Sequence, residues 1–304
     1  MMRCMTAKHE ILRRILHELT YEWRMIMHRF LFFEETEKLK ASKNTTEIGR
    51  FRLYTLLDWA YRQKFITPSI VRTMFNLTGS GEYRMMNGYA DKGYFRKVPT
   101  SSPMAPWLYI LTKAGMSILF NAWSHIDYVE EREMRAFIDP SKLNLNGMTH
   151  TLATQIVTLD LLLNDANDYM TYLSERELES GGSKKLLKQP DTLVGDKNGE
   201  GILAVEVELT MKNKRAMDHS FASIKSILTT DEAGFRASRV AYITQSKMIY
   251  KKLEKLAKAD HVDRWVKDKE LRRWVKNGVV NMREIVKKDL INIHHYEHLK
   301  RLYP

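Results

Sequence analysis

The chain has 304 residues, of which 44% are hydrophobic and 28% charged, and its net charge is +12. This composition excludes a disordered chain, and the length allows one large core or two ordinary ones, of which two are expected. The positive charge favours polyanionic partners, nucleic acid ahead of an anionic membrane surface. The single cysteine excludes an internal disulfide. Neither a transmembrane run nor a secretion signal is present, so we expect a cytoplasmic protein without membrane insertion.

Residues 1–48 are predicted to form one long helix and a polar linker. Apolar residues recur at helical spacing between about residues 7 and 40, beginning with Ile11, Leu12 and Ile15. Two interpretations stay open. The helix covers the next domain, or it pairs two copies of the chain as a homodimer.

Residues 49–140 carry the pattern of three helices followed by a two-stranded hairpin. Helical periodicity begins at Phe51, Thr67-Pro68 supplies a cap and a first-turn proline for a second helix, and Gly93 ends a third. Strand-like segments at 94–98 and 107–111 flank a proline-rich loop. This order resembles a winged helix-turn-helix domain, which implies that the third helix enters the major groove of double-stranded DNA.

The winged-helix resemblance implies a set of DNA-binding residues. Arginine prefers guanine edges and asparagine prefers adenine, so Arg84 and Asn87 of the third helix are the expected base-reading residues. Lys92 of the same helix is also expected to face the DNA, and phosphate contacts are expected from the hairpin, namely Arg96, Lys97 and Ser101. A protein-binding winged helix is the alternative, because Glu82 and Asp91 dilute the positive charge.

A second hairpin is predicted to begin at Asp191. This residue opens a short apolar run, and Asn198-Gly199 is a dipeptide typical of tight hairpin turns. The chain returns through an apolar strand whose residues alternate, so Glu206 and Glu208 share one face. Such a carboxylate pair near a core is solvated, paired with a cation or bound to a metal ion. With Asp191 beside it, three hard oxygen ligands suit Mg²⁺ or Mn²⁺.

This stretch resembles a nuclease motif. Pro190-Asp191, a spacer and Glu206-Val207-Glu208 resemble the Pro-Asp…(Asp/Glu)-x-Lys motif of restriction-endonuclease-like domains. The continuation Leu-Thr-Met-Lys resembles replication-relaxation proteins and C-class mobilisation relaxases of plasmids and integrative elements, in which such a domain follows a winged helix. The resemblance implies metal-dependent catalysis by Asp191, Glu206 and Glu208. The usual lysine position holds Glu208, and Lys212 is the nearest lysine of the same strand parity, so Lys212 is the candidate to offset phosphate charge.

The expected fold class is α+β and multidomain. After the winged helix, residues 141–260 are predicted to form the restriction-endonuclease-like domain, since a helix, strands, a helix and a further strand follow the order of that α-β-β-β-α-β core.

Residues 261–304 are predicted to be a basic helical C-terminal extension. Its tryptophans, Trp265 and Trp274, interleave with Arg272, Arg273 and Lys276. Such a helix would follow a DNA backbone or stack on single-stranded bases at a nick; the alternative is an amphipathic helix that packs on the preceding domain.

Two functions stay open. The first is a relaxase-like enzyme that recognises an origin and nicks or relaxes DNA, with water or a tyrosine as the nucleophile. The alternative is a catalytically inactive regulator or accessory factor that keeps the nuclease fold as a scaffold. Glu208 at the lysine position favours the alternative.

Overall fold

The computed structural model describes residues 44–102, 105–123, 147–163, 169–180, 189–196, 201–229, 236–268, 270, 273–297 and 299. The chain divides into two compact units, Met1–Arg176 and Glu177–Pro304. Helices combine with parallel and antiparallel strand pairs, so the predicted α+β class is confirmed. The predicted helix at residues 7–40, with its dimerisation hypothesis, and the predicted boundary at residue 140 lie outside the described residues.

The described part of the first unit opens with helices and a hairpin in the order that the sequence predicts. They are α1 (Thr45–Gln63), α2 (Pro68–Phe75), α3 (Gly81–Asp91), β1 (Phe95–Pro99), β2 (Trp107–Leu111) and α4 (Lys113–Trp123). The local signals act as expected. The Thr67 side chain caps α2 by accepting a hydrogen bond from Ile70 N, and Gly93 follows α3 with a φ of 77°.

The described part of the first unit also contains α5 (Met148–Leu163) and β3 (Tyr169–Ser174). A buried amide joins α5 to α1. Gln155 Oε1 accepts a hydrogen bond from Trp59 Nε1 at 3.0 Å, and Gln155 Nε2 donates to Phe65 O at 3.1 Å. Because both ends of the amide are satisfied, its burial does not leave an unpaired polar group.

Strands and helices alternate through most of the second unit. After α6 (Glu175–Ser180), which crosses the division, they are β4 (Thr192–Asp196), β5 (Ile202–Val207), α7 (Lys214–Thr229), β6 (Arg239–Thr244), α8 (Lys247–Ala257), β7 (His261–Lys267), β8 (Trp274–Asn281), α9 (Arg283–Lys287) and β9 (Ile291–His295). The strands β4, β5, β6 and β9 lie side by side in that order. The pair β4–β5 is antiparallel, whereas β5–β6 and β6–β9 are parallel.

Both faces of β5 are buried. Val205 and Val207 fill one face, and Glu206 on the other face is also buried. Tyr242 of β6 stands opposite Glu206 in the parallel register and stacks on Phe221 of α7, with ring centroids 5.0 Å apart. Helix α7 therefore covers the face of the sheet that carries Glu206.

The predicted helical C-terminal extension is wrong. Residues 261–304 contain the antiparallel pair β7–β8, the short α9, and β9, which joins the main sheet beside β6. β-Branched residues recur in both β7 and β8, and paired strands use such side chains better than a helix does. Trp265, Trp274 and Lys276, which suggested a helix, instead share one face of a two-stranded ribbon.

Candidate functional site

Two of the three predicted acids, Glu206 and Glu208, lie at the end of β5, and Asp191 lies just before β4, the strand paired with it. Thr192 pairs with Val205, so the register places Asp191 beside Glu206. Asp191 N donates to Val205 O at 3.0 Å, and Asp191 Oδ2 accepts a hydrogen bond from Val207 N at 2.7 Å. Asp191, Glu206 and Glu208 are all buried, with exposed fractions of 8%, 3% and 5%.

Lys212 contacts this end of β5 from the loop that follows the strand, so strand alternation does not account for its position. Strand β5 ends at Val207, and Lys212 Nζ lies 2.5 Å from Glu208 Oε2 across the following loop. The loop is fixed at two points. Glu208 N donates to Ile243 O at 2.8 Å, and Lys252 Nζ of α8 donates to Lys212 O at 3.0 Å.

Tyr242 of β6 lies beside Glu206 on the adjacent strand. Its hydroxyl is 2.8 Å from Ser220 Oγ of α7, and its ring is fully buried. Burial raises the pKa of Tyr242 well above its usual value, and the charges of Glu206, Glu208 and Asp191 act in the same direction. The hydroxyl is therefore held protonated, which suits a positioning role and disfavours Tyr242 as a nucleophile.

Sequence reasoning missed Tyr242, Ser220 and Lys252. Each belongs to an element whose existence was predicted, but their proximity to the carboxylates depends on the parallel β5–β6 register and on the packing of two helices. A tyrosine within an otherwise apolar buried strand was the one local signal, since a buried hydroxyl needs a polar partner.

The carboxylates bear on the predicted Mg²⁺ or Mn²⁺ site. Within the described residues, no group of three or more His, Cys, Asp or Glu side chains is placed to hold a metal ion. Glu208 Oε2 forms an ion pair with Lys212 instead of facing an ion, so the role of Glu208 as a metal ligand stays a prediction. Asp191 and Glu206 remain adjacent across the hairpin, and Mg²⁺ commonly uses one or two carboxylates and completes its shell with water. The pair fits such an ion.

The predicted DNA-contacting residues of the first unit lie on α3 and the β1–β2 hairpin. Met86 of α3 is buried, and on other sides of the helix Arg84 and Lys92 are exposed. The hairpin residues of the prediction, Arg96, Lys97 and Ser101, are exposed as well.

Asn87 is tied to the hairpin. Its Oδ1 accepts hydrogen bonds from Tyr109 Oη at 2.8 Å and from Lys97 Nζ at 3.0 Å. Lys97 Nζ also lies 4.2 Å from the centroid of the Trp107 ring. Bidentate adenine recognition needs both ends of an asparagine amide, so base reading by Asn87 would require these bonds to exchange.

Glu82 does not dilute the positive surface. Its side chain is fully buried and accepts a hydrogen bond from Arg72 Nε at 3.0 Å. Burial by itself raises the pKa of Glu82, but the hydrogen bond from Arg72, a hydrogen bond from the backbone of Glu82 and the charge of Arg72 together outweigh it, so the net pKa lies below the usual value. Arg72 therefore balances the charge of Glu82 within the unit.

Two of the three C-terminal cations predicted to bind DNA are described, and Arg272 lies outside the described residues. Arg273 is exposed at the start of β8. Lys276 is exposed too, and its Nζ lies 2.7 Å from Asp263 Oδ2, so part of its charge is balanced within the ribbon.

Comparison with protein families, curated proteins and solved structures gives no match for this chain. No described helix is long and apolar enough to cross a membrane.

Proposed function

We propose that the chain recognises an origin on a plasmid or integrative element and nicks DNA there by metal-dependent phosphodiester chemistry. The observation that carries the proposal is the register of the β4–β5 hairpin, which brings Asp191 beside Glu206 at the buried end of a strand that continues into the Glu208–Lys212 ion pair. Acids on adjacent strands with a lysine beside them are the side chains of a restriction-endonuclease-like site, in agreement with the sequence resemblance.

Asp191 and Glu206 would hold the Mg²⁺ or Mn²⁺ ion, with Glu208 as a third candidate ligand. When bound, such an ion polarises a scissile phosphate and lowers the pKa of an attacking water. Lys212 offsets negative charge on the phosphate from a loop that Lys252 fixes. Tyr242 is hydrogen-bonded to Ser220 and stands opposite Glu206 on the adjacent strand, where it would orient the Glu206 carboxylate.

The first unit supplies recognition in this proposal. Three helices followed by an antiparallel hairpin are the elements of a winged helix, and the net charge of +12 favours a phosphate backbone as the partner. Exposed Arg84 is the preferred base-reading residue, because the Asn87 amide oxygen is already bonded to the hairpin.

Cleavage is tested on supercoiled DNA that carries candidate origins, with and without Mg²⁺ or Mn²⁺. We expect metal-dependent conversion to the nicked form by the wild type and none by the Asp191→Asn, Glu206→Gln double variant. The Glu254→Gln, Glu284→Gln variant is the matched control, since it removes two carboxylates from exposed lysine pairs elsewhere in the same unit. Equal nicking by the wild type and the Asp191→Asn, Glu206→Gln variant would show that these carboxylates are not the site of cleavage.

Metal binding has a readout of its own. Titration of Mn²⁺ into the metal-free protein should release heat and raise the melting temperature of the wild type and of the control variant, but not of the active-site variant. A wild type that gives neither response would contradict the metal site.

Recognition is tested separately with Arg84→Ala. If Arg84 reads a guanine, the variant loses roughly 1–3 kcal/mol on the cognate site and almost nothing on random DNA. Equal loss on both would reduce Arg84 to a phosphate contact.

The second candidate function is a catalytically inactive DNA-binding regulator. The Glu208–Lys212 pair favours it, because the acid that replaces the usual lysine is itself engaged with a lysine. Origin binding with unchanged supercoiled DNA in every metal would establish this function instead of the first.

A further inference from the structure

The ribbon formed by β7 and β8 is exposed along most of its second strand. Trp274 is 40% exposed and Val279 is 60% exposed, and only two of the eight β8 residues are half-buried, Val275 and Val280. An isolated two-stranded ribbon is marginally stable in water, so contacts outside the pair must hold it in place.

Helix α7 provides that anchor. Asp218, which is 1% exposed, accepts a hydrogen bond from Trp265 Nε1 at 3.0 Å, and Lys214 Nζ lies 2.9 Å from Asp218 Oδ2. Lys214 also pairs with Asp263 of β7, which Lys276 of β8 contacts in turn. One buried carboxylate thus fixes the ribbon against the first turns of α7.

One face of the ribbon alternates aromatic rings and cations. Trp274 pairs with Lys267, and Lys276 pairs with Trp265, so these four side chains share a face. Lys276 Nζ lies 5.6 Å from the Trp265 ring centroid. Trp265 is anchored at Asp218, whereas Trp274 remains open to solvent at the other end of the stripe.

Arg215 of α7 stacks on the open ring. Its guanidinium carbon lies 4.9 Å from the Trp274 centroid. A guanidinium in this position keeps donors directed away from the ring, where they can bind phosphate oxygens, while the exposed indole offers a surface for a planar partner. We call Trp274 and Arg215 the stacking platform.

One member of the stacking platform follows the carboxylate site closely along the chain. Arg215 belongs to the first turn of α7, which begins directly after the loop that carries Lys212. Three residues of chain span at most about 11 Å, so Arg215 lies within reach of a DNA strand bound beside Lys212.

We infer that the stacking platform binds an unpaired base of single-stranded DNA beside the carboxylate site. The inference rests on the proposed function for the identity of the polymer. Base–aromatic stacking with a neighbouring arginine is the chemistry by which proteins hold single strands without sequence preference. In a duplex the same base faces are hidden in the stack, so the platform selects strand-separated DNA.

The test measures equilibrium binding of the full chain in metal-free buffer, which keeps it independent of cleavage. The probes are fluorescein-labelled oligothymidylate and the same strand annealed to oligodeoxyadenylate. Trp274→Ala should weaken binding of the single strand by roughly 5- to 100-fold and leave the duplex nearly unchanged. Trp274→Phe should keep most of the affinity because a ring remains, and Arg215→Ala should weaken the single strand with a shallower salt dependence.

Val279→Ala is the matched control, since it truncates an exposed apolar side chain of the same strand. It should bind both probes like the wild type. Equal loss on single strand and duplex in Trp274→Ala, or no loss on either, would overturn the inference, and unchanged melting curves for the variants would show that the fold is not the cause. Supercoiled DNA left intact together with Trp274-dependent single-strand binding would refute the nuclease and retain the platform.

Discussion

The two units bury acidic side chains in different ways. In the first unit, Glu82 is paired with Arg72 on the preceding helix, and Asp58 lies 3.7 Å from Arg62 one turn away on α1. In the second unit, Asp191 lies beside Glu206 across the hairpin, and Glu208, two residues further along the chain, is paired with Lys212. In the first arrangement each buried acid has its own arginine, whereas in the second arrangement acids lie next to one another.

The two arrangements of buried charge suit different roles. A carboxylate matched to one arginine offsets much of its desolvation cost and fixes the packing of two elements. Neighbouring carboxylates repel each other when both are ionised, unless a cation offsets their charge. The Glu82 pair is therefore expected to contribute to stability, and the neighbouring carboxylates at β5 are consistent with the chemistry proposed above.

Removing the arginine from the first arrangement should have the largest effect. Arg72→Ala leaves Glu82 buried without its cation, and we expect a loss of about 3 kcal/mol in the free energy of unfolding, measured by urea unfolding. Arg84→Ala is the control, because this exposed arginine on α3 should change stability by less than about 0.5 kcal/mol. Similar shifts in both variants would mean that the Glu82 pair is not structural.

Disturbing the second arrangement should change catalysis and leave stability intact. Lys252→Met removes the hydrogen bond to Lys212 O, so the loop can displace Lys212, and nicking should slow by about tenfold or more with unchanged DNA affinity. Lys251→Met, an exposed neighbour on the same helix, should nick at the wild-type rate. If Lys252→Met instead lowers the urea midpoint and keeps the rate, Lys252 only supports packing.

The acid dependence of stability should reveal the Glu82 pair. The pKa of Glu82 is lowered in the folded state. Its contribution to the free energy of unfolding is therefore present above the unfolded-state pKa of about 4.5 and is lost as pH falls through the lower folded-state pKa. We expect Glu82→Gln to reduce the slope of the urea midpoint against pH below about 4.5. An unchanged slope would show that Arg72 does not hold Glu82 ionised.

Two buried tyrosines should give the smallest signal. Burial raises the pKa of Tyr109 to about 12, and burial together with the neighbouring acids raises the pKa of Tyr242 well above its usual value. Because the folded pKa is raised, stability present below pH 10 should fall as pH rises from 10 to about 12. Tyr109→Phe should remove phenolate absorbance from the late part of the alkaline titration, and loss from its early part would contradict the assignment.

The sequence determined the elements whose signals are local. Thr67-Pro68 starts α2, Gly93 follows α3, and the strands β1, β2, β4 and β5 follow from apolar runs and their alternation. Asp191, Glu206, Glu208 and Lys212 could be selected because residue type and spacing are properties of one short stretch. The helix predicted for residues 261–304 is wrong because its tryptophans and cations also fit a two-stranded ribbon. That ribbon is held by a residue distant in sequence, Asp218 of α7, which the local pattern does not reveal.

Only the tertiary structure decided which distant groups meet these residues. The parallel register of β6 places Tyr242 opposite Glu206, α8 brings Lys252 to the Lys212 carbonyl, and α2 brings Arg72 to Glu82. Propensity and hydrophobic periodicity reflect only residues close together in sequence. They do not say which position in the sheet a strand takes or against which face a helix packs. Those choices follow from burying the whole apolar surface at once, so the partners of the buried charges emerge only with the folded chain.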